Sequence, residues 1–130
     1  MPSKIKEIGG WSFFSCEALE NILLPDSVEK IGEKAFYGCT NLSTINIPKK
    51  VKIIESGTFL CCSKLKEIKF SSGLKEIRYE AFAFCESLEK LVLPFNLRVI
   101  DTLAFLECRN LREVNVSRNI KEIKDYAFEG

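Results

Sequence analysis

The sequence predicts a solenoid, a chain wound into stacked coils of one repeated shape, and three observations carry that expectation. Apolar residues recur at a fixed spacing of 23 through the whole chain: Ile8, Ile31, Ile54, Ile77, Ile100 and Ile123 form one column, and Phe13, Phe36, Phe59, Phe82, Phe105 and Phe128 a second. Cys16, Cys39, Cys62, Cys85 and Cys108 keep the same register, as do Leu19, Leu42, Leu65, Leu88 and Leu111. The composition, 46% hydrophobic and 28% charged, is that of a packed domain. A unit this short cannot bury its own apolar face, so consecutive units must stack into a shared core.

Each element of the coil follows from the pattern. After the Leu column the chain alternates apolar and polar, with Ile22/Leu24, Ile45/Ile47, Ile68/Phe70, Leu91/Leu93 and Val114/Val116 as the inward pairs of a short strand. Pro25, Pro48 and Pro94 end that strand, because proline cannot donate to a sheet ladder; Ser71 and Ser117 stand there in the other copies. A second apolar pair follows, Val28/Ile31, Val51/Ile54, Leu74/Ile77, Leu97/Ile100 and Ile120/Ile123, and predicts an extended return segment on the opposite side. Ala35, Ala81, Ala104 and Ala127 then precede the Phe column at a corner where one 3₁₀ turn fits. Pro2 and Ile5 match Pro25 and Val28, and Gly130 stops one residue before the next expected cysteine. A single domain over 1–130, about five repeats long and cut from a longer array, is therefore expected.

The five in-register cysteines point inward at one place in successive coils, and stacking at about 4.8 Å does not match the Cβ separation of about 3.8 Å that a disulfide needs. They are expected to be free thiols packed as small hydrophobes, with Cys61 alone partly exposed. The absence of histidine removes Ser–His and Cys–His nucleophile pairs and imidazole metal ligands. No second ligand group accompanies Cys61-Cys62, no phosphate loop is present, and the carboxylates sit at solvent-facing positions, so neither a metal, a cofactor nor catalysis is expected. Net charge is +1, which points to no nucleic acid, and no apolar run reaches the roughly 20 residues of a membrane span.

The spacing L-x-x-I-x-L, with Ile47-Pro48 after the strand, Val28-Glu29-Lys30-Ile31-Gly32 in the return segment and Ala35-Phe36-Tyr37-Gly38-Cys39 at the corner, resembles the BspA-like bacterial surface leucine-rich repeats. The resemblance implies a right-handed leucine-rich-repeat solenoid, with a parallel β-sheet on its concave face and short strands and 3₁₀ turns on the convex side. It implies a non-catalytic protein-binding module, secreted or on the cell surface, that serves adhesion with extracellular-matrix proteins such as fibronectin or fibrinogen as partners. An intracellular (cytoplasmic) scaffold for protein–protein interaction is the alternative, favoured by free cysteines and by the lack of a secretion signal at Met1–Ile5. The sequence departs from the commoner leucine-rich repeat in having asparagine only at Asn96 and Asn119 of its column, where Ser27, Lys50 and Gly73 stand elsewhere, so no asparagine ladder is expected. Glycine after the Ile column persists only at Gly9 and Gly32, giving way to Glu55, Arg78, Asp101 and Lys124.

Recognition must fall on positions that vary between copies. On the concave face these are Asn21, Thr44, Glu67, Lys90 and Glu113; Leu23, Asn46, Lys69, Val92 and Asn115; and, at the strand exits, Asp26, Lys49, Phe95 and Arg118. Leu23, Val92 and Phe95 are apolar where the pattern points to solvent, as in a protein-binding patch. The mostly basic column Glu29, Lys52, Lys75, Arg98 and Lys121 reads as a solvated return face. Trp11 is expected to cover the first coil, and the uncapped end coils are expected to self-associate.

Overall fold

The computed structural model describes residues 4–116 and 118–130, so the expectations for Pro2 and Ser117 lie outside the described residues. Among the described residues eleven short strands fall into two alternating sets. The concave set is β2 (Asn21–Ile22), β4 (Thr44–Asn46), β6 (Glu67–Lys69), β8 (Lys90–Val92) and β10 (Glu113–Asn115); the return set is β1 (Glu7–Ile8), β3 (Lys30–Ile31), β5 (Ile53–Ile54), β7 (Glu76–Ile77), β9 (Val99–Ile100) and β11 (Glu122–Ile123). All pairing is parallel and joins equivalent residues of successive coils, as in Ile45 with Ile68 and Ile77 with Ile100. The strand after each inward pair closes in a tight turn, with the amides of Val28, Val51 and Leu97 donating to the carbonyls of Pro25, Pro48 and Pro94.

The core is the stack of columns. Phe36, Phe59 and Phe82 are fully buried, and the six Phe rings lie nearly parallel at centroid spacings of 5.0 to 5.3 Å. Stacking at that distance is the favourable offset range for aromatic pairs. Beside them the thiols form a second ladder: Cys39 Sγ donates to the Phe13 carbonyl (3.0 Å), Cys62 to Phe36 (3.2 Å), Cys85 to Phe59 (3.4 Å) and Cys108 to Phe82 (3.2 Å). All six cysteines are free. Burial pushes the thiols of Cys62 and Cys85 well up and that of Cys108 up to about 12. Cys61 is half-buried as expected, but so is Cys16, whose coil has a neighbour on one side only.

The Ala-Phe corner keeps the three-residue-back bonds of a 3₁₀ turn but not its dihedrals. In the second coil Ala35 N–H bonds to Gly32 O, Tyr37 to Lys34 and Cys39 to Phe36. The intervening amides of Lys34, Phe36 and Gly38 instead donate to Ser56, Thr58 and Leu60 of the next coil. This alternation is set by two positive-φ residues per coil. One column is Trp11, Lys34, Gly57, Glu80, Leu103 and Tyr126; the other is Ser15, Gly38, Cys61, Phe84, Glu107 and Gly130, with φ from 53° to 104°. Left-handed residues break a helix, so a ladder of turns forms in its place. The same turn closes whether its first residue is Gly32 or Glu55, Arg78, Asp101 and Lys124, and those charged residues pair between coils, Arg78 with Glu55 at 3.1 Å and Lys124 with Asp101 at 3.7 Å.

Candidate functional site

The concave strands and the segments that leave them carry the candidate recognition residues. Asn21, Leu23, Asp26, Lys49, Glu67, Lys69, Lys90, Val92, Phe95, Glu113, Asn115 and Arg118 are exposed; Thr44 and Asn46 are half-buried. Leu23 is 79% exposed, Phe95 68% and Val92 54%. Val92 and Phe95 belong to the fourth coil, with a coil stacked on either side, so their exposure is a property of the surface and not of an end. Lys90 meets Glu113 at 3.5 Å and Lys69 meets Glu67 at 3.9 Å. Both pairs are exposed, so each contributes little to stability.

Asn46 departs from the recognition pattern. Its Oδ1 accepts from the Leu24 amide at 2.9 Å, and its Nδ2 donates to the Leu24 carbonyl at 2.9 Å. The side chain thus clamps the preceding coil's backbone and is occupied as structure. Other amides do likewise: Asn41 donates to Glu17 O (2.6 Å), Asn110 to Glu86 O (2.7 Å), Asn96 to Ser72 O (2.8 Å) and Asn119 to Phe95 O (3.0 Å). A partial amide ladder exists after all, because an Asn side chain spans the gap between one coil and the carbonyl below it. Val116, expected inward, is 51% exposed since no coil lies over it.

Shallow grooves run along this face. One of about 480 Å³ is lined by Lys66, Glu67, Ile68, Glu89, Lys90 and Val92, and one of about 290 Å³ includes Leu23, Thr44, Asn46 and Lys69. Neither encloses a buried acid, base or nucleophile. Among the described residues no three or more His, Cys, Asp or Glu side chains could hold a metal ion, and no helix is long and apolar enough to cross a membrane. Trp11 is half exposed and packs on Phe14 (5.2 Å), Tyr37 (6.0 Å) and beneath the Lys34 ammonium (5.1 Å). Tyr37 and Lys34 belong to the second coil, so the indole leans along the array instead of covering its open end as expected.

Known proteins match this geometry closely. The chain superposes on a leucine-rich cell surface protein from Faecalibacterium prausnitzii with a TM-score of 0.89 and 29% identity, over 100% of this chain and 38% of that one. A leucine-rich repeat protein from Bacteroides ovatus matches with a TM-score of 0.87 and 31% identity, over 95% of this chain and 32% of the other. The leucine-rich repeat protein of T. pallidum matches with a TM-score of 0.86 and 31% identity, over 96% and 67% respectively. The chain thus spans about a third of the length of the first two. Among curated proteins none matches the sequence significantly. The family profile for the BspA type leucine-rich repeat region fits residues 1–111 in six copies, and the chain belongs to that family.

Proposed function

We propose that the chain is a surface-displayed recognition array that binds a protein partner through the concave face around Val92 and Phe95, in the service of adhesion. Its family consists in general of non-enzymatic protein-interaction scaffolds. The observation that carries the proposal is the pair of large apolar side chains standing out from an interior coil whose equivalents in the second and third coils are charged or polar: Asn46 and Lys69 for Val92, Lys49 and Ser72 for Phe95. Apolar anchors ringed by polar side chains are what protein interfaces use. The F. prausnitzii relative is a cell surface protein, which supports surface display. Matrix proteins such as fibronectin and fibrinogen are the first partners to test.

The test is interferometry of the protein over immobilised fibronectin and fibrinogen. A Val92→Glu/Phe95→Ser double variant should weaken binding by about tenfold or more, as loss of anchor residues does, with little change in melting temperature. Lys121→Glu on the return face should leave binding unchanged. The reverse ranking would move the site to the return face, and no binding to either protein would remove the matrix partner. Six unbridged cysteines favour a second reading, a scaffold in a reducing compartment. Protease treatment of intact cells separates the two, since only a displayed array is cut.

A further inference from the structure

We infer that the third coil, residues 53–69, is a flexure at which the array bends without unwinding. Most of the parallel ladder bonds recur from joint to joint, although at the first concave joint the Leu24 N–H is taken by Asn46 Oδ1. On the concave face Lys66 N–H donates to Ser43 O (2.9 Å) and Arg112 N–H to Glu89 O (2.9 Å) at the strand entries; Ile47 N–H donates to Lys69 O (2.8 Å) and Leu93 N–H to Asn115 O (3.3 Å) at the exits. At the joint between the third and fourth coils neither bond has a counterpart from Glu89 or Phe70, and β6 is not paired with β8. The groove of about 480 Å³ opens at this joint.

The return face is interrupted one joint earlier. Lys75 N–H donates to Lys52 O (2.8 Å), Arg98 to Lys75 (2.8 Å) and Lys121 to Arg98 (2.8 Å), but Lys52 makes no such bond to Glu29, and β3 is not paired with β5. A groove of about 280 Å³ between Glu29, Lys30, Lys52, Ile53 and Glu55 marks the place.

The joints also differ in their side chains. Asn41 and Asn110 reach back to a carbonyl of the preceding coil through their amides, whereas Lys64 and Ser87, in the same column, make no such bond, and of these two joints only that of Ser87 lacks strand pairing. The Ser87 N–H bonds to Ser63 O at 3.1 Å, a main-chain bond with no counterpart at the other joints among the described residues. On the return face Ser27, Asn96 and Asn119 donate backwards, and Gly73 allows close approach, since a Cβ there would lie 2.5 Å from Lys49 O. Lys50 offers neither.

The turn ladder crosses both joints unbroken: Phe36 N–H bonds to Thr58 O (2.9 Å), Phe59 to Ala81 (2.8 Å) and Phe82 to Ala104 (2.8 Å). The third coil is therefore tied to the second by the turn ladder and β4–β6, and to the fourth by the turn ladder and β5–β7. Bending at one joint opens the return face, and bending at the other opens the concave face, both about the turn ladder. A ligand that spans Glu67 and Lys90 selects one curvature from this range. The inference does not rest on the proposed partner.

Amide exchange and residual dipolar couplings on the free protein test it. The Glu89 and Phe70 amides should exchange about tenfold faster than those of Lys66 and Ile47. Couplings from residues before and after the third coil should require two alignment tensors. Ser87→Asn should slow exchange at Glu89 and Lys50→Asn at Lys52, each by about fivefold, the worth of one hydrogen bond, and the paired substitutions should bring the couplings to one tensor. A single tensor for the wild-type protein would overturn the flexure even if exchange were fast, since the gaps would then be rigid. Uniform protection would overturn it outright.

Discussion

Replacing Glu80 by glycine should make this protein more stable. Glu80 sits at φ 53° in the column that also holds Gly57, within a turn bonded to the coils on both sides. An L-residue in the left-handed region costs about 1–2 kcal/mol relative to glycine, while glycine's greater freedom in the unfolded chain costs back about 0.4–1 kcal/mol. Glu80 makes no ion pair within 4.0 Å among the described residues, so little else is lost. The net expectation is a gain of about 0.5–1 kcal/mol for Glu80→Gly. Glu80→Ala keeps the strain and removes the same carboxylate, so it serves as the control. Urea denaturation measures both: the midpoint should rise for glycine at an unchanged slope and stay flat or fall for alanine. A glycine variant less stable than the alanine variant would refute the reasoning, and with it the claim that the turn ladder is held in a costly conformation.

Other expectations follow from the core and the concave face. Phe82→Ala should cost about 3–5 kcal/mol, as for a buried aromatic, because Phe82 is flanked by Phe59 and Phe105; Phe128→Ala, with one ring neighbour at 5.1 Å, should cost less than half of that in the same denaturation assay. Asn46→Ala should lower stability by about 1–3 kcal/mol through the unpaired Leu24 backbone, while leaving partner binding to Val92 and Phe95 intact. The buried thiols have folded pKa values above the ordinary 9.0, with Cys108 at about 12. The unfolded chain therefore releases its thiol protons first, and stability that is complete below pH 9 should fall as pH rises from 9 toward 12, at up to about 1.4 kcal/mol per pH unit for each thiol. Melting temperature against pH should show this fall, and Cys85→Ala should flatten it.

The fold was legible because its determinants are local in the repeat. Phe59, Cys62, Leu65 and Ile77 announce burial by recurring, and all four are fully buried. What was not legible depends on how one coil reaches another. Asn46 and Asn115 occupy the same column, and nothing in the sequence says that the amide of one clamps Leu24 while the other stands exposed. The positive-φ columns left few traces, Gly57 in one and Gly38 and Gly130 in the other, and these glycines do not mark a conformation that Trp11, Lys34, Glu80 and Leu103, or Ser15, Cys61, Phe84 and Glu107, also adopt. The main-chain bond of Ser87 to Ser63 O is visible only once that carbonyl has been placed. Val92 could be read in advance because its exposure follows from strand alternation, and Phe95 because its column otherwise holds Asp26, Lys49, Ser72 and Arg118.

The thiol ladder bears on how such arrays change length. Cys39, Cys62, Cys85 and Cys108 each donate to a carbonyl one coil back, and that carbonyl is in the same place each time. Excision of residues 24–46 would bring Cys62 over Phe13, which now receives Cys39, and no core contact would notice the loss. Charge would. Removing residues 70–92 would take Arg78 away from Glu55 and set Asp101 in its place, carboxylate against carboxylate. The core thus permits recombination at any boundary, while the outward pairs favour some neighbours over others, so that successful rearrangements should be those that move Glu55 and Arg78, or Asp101 and Lys124, together.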